Sequence, residues 1–155
     1  MQLSGSCGIA RALKGNPMPD TPESSEPHKP YQVLVVDDDP SIRKMIIASL
    51  RRDGYDFREA QNGQEALDSM KSFPPDAVVL DLMMPLVSGW DVLREREKDE
   101  DLKKIPVIVV SANRGPEIAE AVDKGICAFL PKPFDIGALN SVVRNCLHPV
   151  EEAPC

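Results

Sequence analysis

Three runs of the chain carry almost no polar residue: Gln32–Val36 (QVLVV), residues 77–80 (AVVL) and residues 107–110 (VIVV). A strand with one wet face alternates apolar and polar side chains. Runs that are apolar at nearly every position therefore imply strands covered on both faces, as in a parallel sheet. Two weaker runs, 56–59 and 128–130, bring the number of predicted strands to five. Between them the apolar spacing turns helical. Ile42, Met45, Ile46, Ser49 and Leu50 share one face, with Gly54 as the stop signal. Segments 63–71, 90–99, 116–124 and 135–147 read the same way, the last with Asp135 as its N-cap. The order is (βα) five times. Right-handed crossovers then give an α/β fold, a five-stranded parallel sheet sandwiched by helices. In such folds functional groups gather beyond the carboxyl ends of the strands.

The remainder of the 155 residues frames this unit. Residues 1–30 hold Pro17, Pro19, Pro22, Pro27 and Pro30 among Ser, Glu, Asp and Thr, too little apolar surface to offset the entropy of ordering. They are expected to be a disordered extension, and residues 149–155 a disordered tail, leaving a domain at 31–148. The net charge is −7, and within 31–148 acidic residues outnumber basic ones by 20 to 15. With no dense Lys/Arg block, direct nucleic-acid binding is not expected. No apolar stretch approaches the roughly 20 residues of a membrane span, and the N-terminus lacks the apolar core of a secretory signal. A cytoplasmic location follows. Cys7, Cys127, Cys146 and Cys155 show no metal-ligand or framework spacing, so free thiols in a reducing compartment are expected.

The strand ends carry the chemistry. The first strand runs into Asp37, Asp38, Asp39 and Pro40, and the third into Asp81. Asp39 before Pro40 is placed to cap the following helix. Asp37, Asp38 and Asp81 fall on one edge of the sheet, where their mutual repulsion calls for a cation. Oxygen-only ligands favour a hard ion, Mg²⁺ before Ca²⁺. Asp81 lies between Val78, Val79, Leu80 and Leu82, Met83, Met84, where an unpaired charge is costly. The fourth strand ends at Ser111, and the fifth is followed by Pro131-Lys132-Pro133. A carboxylate nucleophile, acidic metal ligands, a hydroxyl and an ammonium suit phosphoryl transfer, in which the charges of the phosphoryl oxygens must be met. His28 and His148 are the only histidines and stand outside this set, so histidine-dependent nucleophilic catalysis is not available.

VLVVDDDP (33–40), VVLDLMMPLVSGW (78–90), VIVVSA (107–112) and FLPKPF (129–134), taken together, resemble the receiver domains of two-component response regulators. The resemblance implies the flavodoxin-like (βα)5 fold and a phosphoacceptor at Asp81. It further implies Mg²⁺ held by Asp38, Asp81 and the backbone carbonyl of Met83, with Asp37 assisting. Ser111 and Lys132 would contact the phosphoryl group, and the Lys132–Pro133 peptide would be cis. Phe129, in a buried position, would follow Ser111 during activation and change the surface made by segments 116–124, 128–130 and 135–147. The partners implied are a histidine kinase or histidine phosphotransfer protein and an unidentified downstream protein. Met83 and Asn113 flank the site, and Met83 would hinder attacking water and slow self-dephosphorylation.

With nothing after residue 148 that resembles an output domain, a single-domain response regulator is expected. It would catalyse only its own phosphorylation and dephosphorylation and would not act as an enzyme on a separate substrate. One alternative is a phosphorylation-independent interaction module on the same fold, whose binding would ignore Asp81. Another, a Mg²⁺ phosphohydrolase, is disfavoured because Met83 stands where a second Asp would serve as acid and base.

Overall fold

A computed structural model describes residues 29–112 and 116–148. The five strands are β1 (Gln32–Val36), β2 (Asp56–Ala60), β3 (Ala77–Asp81), β4 (Val107–Ser111) and β5 (Ala128–Pro131). All neighbours pair in parallel in the order β2-β1-β3-β4-β5. The helices are α1 (Pro40–Arg52), α2 (Gly63–Ser72), α3 (Gly89–Lys98), the single turn α4 (Glu100–Lys103), α5 (Glu117–Asp123) and α6 (Ile136–Leu147). This is the flavodoxin-like arrangement read from the sequence.

The period-2 alternation of the central strands divides the core in two. Leu34, Val36, Val78, Leu80, Val107 and Val109 pack with Ala66, Leu67 and Met70 of α2, Val92 and Leu93 of α3, and Ala121 of α5. Val33, Val35, Val79, Ile108 and Val110 face the other way, onto Ile46, Ile47 and Leu50 of α1 and Leu139 and Val143 of α6. β3 and β4 are buried throughout, whereas β5 at the edge is only half-buried. Removing this apolar surface from water is the main source of stability, worth roughly 25 cal/mol per Å².

Local signals fix the helix starts. Asp39 caps α1 by accepting from the Ser41 amide at 2.8 Å, with Pro40 at the first helical position. Asp135 caps α6 through the Ala138 amide. Gly54, at φ +88°, occupies the left-handed region just beyond the end of α1.

Three expectations change. β3 and β4 run one residue further than their apolar runs, so Asp81 and Ser111 are the last residues of strands. The α4 turn, begun by Asp99, was hidden because Asp99 reads as the end of the preceding helix. Cys127 and Cys146 are joined in a disulfide, contrary to the free thiols expected of them. Their 19-residue separation forms no recognisable spacing, and only the packing of α6 beside β5 brings them together. The expectations for residues 1–28, 149–155 and Asn113 lie outside the described residues.

Candidate functional site

The sheet order reverses between β1 and β3, and the carboxyl ends of these two strands lie side by side at that switch point. Asp37 extends the ladder past β1 by donating its backbone N–H to Ala60 O at 3.2 Å. Its Oδ1 accepts from the Asp39 amide at 2.9 Å, which closes the short turn into α1. Asp37 and Asp81 are 2% and 4% exposed, whereas Asp38 faces solvent. Carboxylate oxygens of Asp37, Asp38 and Asp81 all lie within 4.8 Å of one another.

The other half of the site comes from β4 and the segment after β5. Ser111 is fully buried at the end of β4 and pairs in register with Pro131. The Lys132 amide donates to Ser111 O at 2.9 Å, anchoring the lysine backbone to that strand end. The Lys132–Pro133 peptide is cis, as the sequence resemblance implies. Lys132 Nζ reaches 3.0 Å from Asp37 Oδ2 and 3.3 Å from Asp81 Oδ2. One cation thus bridges two nearly buried carboxylates.

The charges act on each other as this geometry requires. Burial raises the pKa of Asp81 above the ordinary carboxylate value, and the charge of Asp37 adds to it; Lys132 and the Met83 amide pull the other way and do not cancel the rise. Burial works to lower the Lys132 pKa, but its bond to Asp37 and the charge of Asp81 outweigh this, so the net shift is upward. Lys132 is therefore a firmly held cation, and Asp81 is a carboxylate short of positive charge. A hard divalent ion among three carboxylates answers that shortage, so the residues present fit Mg²⁺.

The loop after β3 holds the site from the outside. The Met83 amide donates to Asp81 Oδ1 at 3.2 Å, Gly89 N–H to Leu82 O at 3.1 Å, and Gly63 N–H to Val87 O at 2.9 Å. A Cβ on Gly89 would sit 2.3 Å from Asp81 O, so only glycine allows α3 to start against the end of β3. The Met83 side chain is 58% exposed at the rim.

Residues 33–144 match the response regulator receiver domain family. The chain belongs to that family. The response regulator MprA of Mycolicibacterium vanbaalenii is 42% identical over 120 residues, covering 76% of this chain and 51% of that protein. The chain spans about half the length of the curated relatives it matches. The chemotaxis protein CheY4 of Vibrio cholerae superposes with a TM-score of 0.71 at 28% identity, over 77% of this chain and all of its own. The receiver domain of the sensor histidine kinase PA1611 of Pseudomonas aeruginosa, with magnesium coordinated in its active-site cleft, gives 0.70 at 27% identity, over 77% and 98%. Receiver domains serve two-component signalling, and the acidic cluster here is compatible with the same metal. Among the described residues no helix is long and apolar enough to cross a membrane.

Of the sequence-predicted site residues, Asp37, Asp38, Asp81, Ser111 and Lys132 meet at this edge. Phe129, expected in a buried position, is half-buried on β5 and packs against the same core cluster as Val109 and Ala121. Sequence reading missed Arg43, whose Nη1 donates to Asp37 O at 2.6 Å while Nε pairs with Glu59 at 2.8 Å. It stands beside Lys44 between the apolar Ile42 and Met45 of α1, and no motif marks it.

Proposed function

We propose that this receiver domain, residues 31–148, is a phosphoryl-accepting switch in a two-component phosphorelay. The observation that carries the reading is the convergence of Asp37, Asp38 and Asp81 with Lys132 lying across two of them. A carboxylate oxygen of Asp81 attacks the phosphorus of a partner's phosphohistidine. The P–N bond breaks, the imidazole nitrogen keeps the electron pair and takes up a proton, and Asp81 becomes an acyl phosphate. Lys132 and Ser111 meet the phosphoryl oxygens. Asp38, Asp81 and the Met83 carbonyl hold Mg²⁺, with Asp37 assisting. Bound there, the ion supplies positive charge to the phosphoryl oxygens. Met83 at the rim hinders attacking water, which lengthens the phosphoryl lifetime.

The donor is a histidine kinase or histidine phosphotransfer protein, which places the exchange in the cytoplasm. Its landing site is a groove of about 420 Å³ beside Lys132, lined by Ile42, Met45, Ala112, Pro133 and Phe134. Apolar contacts there bring a histidine to Asp81 without placing another charge in the acidic cluster. The output passes to a protein partner through the face of α5, β5 and α6. The phosphoryl dianion draws the Ser111 hydroxyl towards it, and half-buried Phe129 moves into the space released. The chain acts on its own phosphoryl group and on no other substrate, and it contacts no nucleic acid itself.

Incubation with a small acyl-phosphate donor and Mg²⁺ is expected to add one phosphoryl mass to the intact chain. A chelator or Asp81→Asn should abolish the gain. Equal labelling of the Asp81→Asn chain would contradict the reading. Partner binding indifferent to Asp81→Asn would instead support a phosphorylation-independent interaction module.

A further inference from the structure

The crosslink between Cys127 and Cys146 lies on the face assigned to output, away from the carboxylates. Cys127 immediately precedes β5, and its amide donates to Val107 O at 2.7 Å, so this end is fixed to β4. Cys146 sits in the last turn of α6 among Val142 and Leu147, half-buried against the core. Their Cα atoms are 6.3 Å apart. Cys127 is exposed to solvent. The two elements so joined are lightly held otherwise. β5 is an edge strand half-buried along its length, and α6 fully buries only Leu139 and Val143.

We propose that Cys127 and Cys146 form a reversible dithiol/disulfide site whose co-reactant is an external dithiol or its disulfide, and that oxidation clamps the end of α6 to the head of β5. In a reducing compartment a disulfide of this kind is transient and redox-sensing. Reduction begins when a thiolate of the external dithiol attacks the exposed Cys127 sulfur. The S–S bond breaks, and Cys146 leaves as a thiolate that takes a proton. The second thiol of the reductant then attacks the mixed disulfide, closes its own disulfide and releases Cys127. Two electrons and two protons pass to the protein, and the dithiol is oxidised. Oxidation runs the same steps in reverse. Phe129 lies two residues beyond Cys127 on β5, so the clamp acts on the strand that carries the proposed switch residue. That consequence for signalling rests on the phosphoryl-switch reading; the redox site itself does not.

The test equilibrates the full chain in mixtures of reduced and oxidised dithiothreitol, traps free thiols by alkylation and maps the peptides. Cys127 and Cys146 are expected to be linked in the oxidised mixtures, alkylated in the reduced ones, and freely interconverted. Amide hydrogen exchange across residues 136–147 should be several-fold faster in the reduced chain. Cys127→Ser, a substitution at an exposed position, should exchange like the reduced chain in every mixture. Failure of the link to form, pairing with Cys7 or Cys155 instead, or identical exchange in both states would each overturn the proposal. Repeating the measurement with Asp81→Asn should give the same redox response, so a failure of phosphorylation leaves this result standing.

Discussion

Arg96 shows how much a single side chain ties together away from the acidic site. It is 3% exposed, and no carboxylate neutralises it at hydrogen-bonding distance among the described contacts. Its guanidinium donates to backbone oxygens: Ile105 at 2.9 and 3.1 Å, Lys103 at 3.0 Å, Lys124 at 3.2 Å and Gly125 at 3.4 Å. Burial lowers its pKa, but a guanidinium remains charged at any physiological pH. Arg96 thereby joins α3 to the segment before β4 and to the end of α5. Arg96→Met keeps the bulk but strands these carbonyls, and should cost about 3 kcal/mol in a urea denaturation curve. A loss below about 1 kcal/mol would mean that water replaces the guanidinium. This role was not legible in sequence, because REREKDEDLKK (94–104) reads as a solvated charged surface. Lys132 was legible because two prolines flank it after an apolar run. Asp81 was legible because an unpaired carboxylate is costly among such neighbours.

At the scale of elements, the approach of α3 to β3 decides whether the Met83 loop stays in place. Gly89→Ala forces a Cβ to within 2.3 Å of Asp81 O and 2.6 Å of Leu82 Cα, both backbone atoms that cannot simply rotate away. A loss of about 1–3 kcal/mol is expected in thermal unfolding, as for other overpacked sites. Phosphorylation by a small donor should slow alongside it; an alanine variant of unchanged stability would contradict this packing. The same helix start carries a capping box in which Ser88 Oγ accepts from the Asp91 amide and Asp91 Oδ2 accepts from Ser88 N. That backbone bond, with help from the Ser88 hydroxyl and Arg94, lowers the Asp91 pKa, while slight burial opposes it. A carboxylate depressed by folding contributes stability above its unfolded pKa and loses it as pH falls through the folded value. Asp91→Asn should therefore be less stable than the parent near neutral pH, with the gap closing in acid. A gap that persists or widens in acid would contradict the capping role. The strands plainest in the sequence were those buried on both faces. β2 (DFREA), exposed at the edge, was recognisable chiefly from its place in the alternation.

At the scale of the whole molecule, the parallel topology converts separate stretches of sequence into one site. Residues 37, 38, 81, 111 and 132 meet because each ends or follows a strand and every strand points the same way. The constellation is therefore legible in the sequence, from the alternation and the polar residues at its strand ends. Long-range pairings outside that rule left no trace in sequence. The Cys127–Cys146 bond, the ion pair of Arg43 with Glu59 and the bond from Ser49 Oγ to Asn140 all depend on which elements pack together. A 19-residue loop closed by a disulfide is worth about 3 kcal/mol by chain-entropy arguments, so the hidden contacts matter to stability as well as geometry. The proposed role of this structure is phosphoryl acceptance at Asp81. Its most direct test is transfer from a phosphorylated histidine kinase or phosphotransfer protein, followed by peptide mapping of the acceptor. The account predicts an acyl phosphate on the peptide containing Asp81, lost in Asp81→Asn. It predicts at least a tenfold slower transfer in Lys132→Gln, since one charged donor to a phosphoryl oxygen is worth about that much or more. A phosphoryl group found on another residue, with Asp81→Asn labelled as fast as the parent, would contradict it.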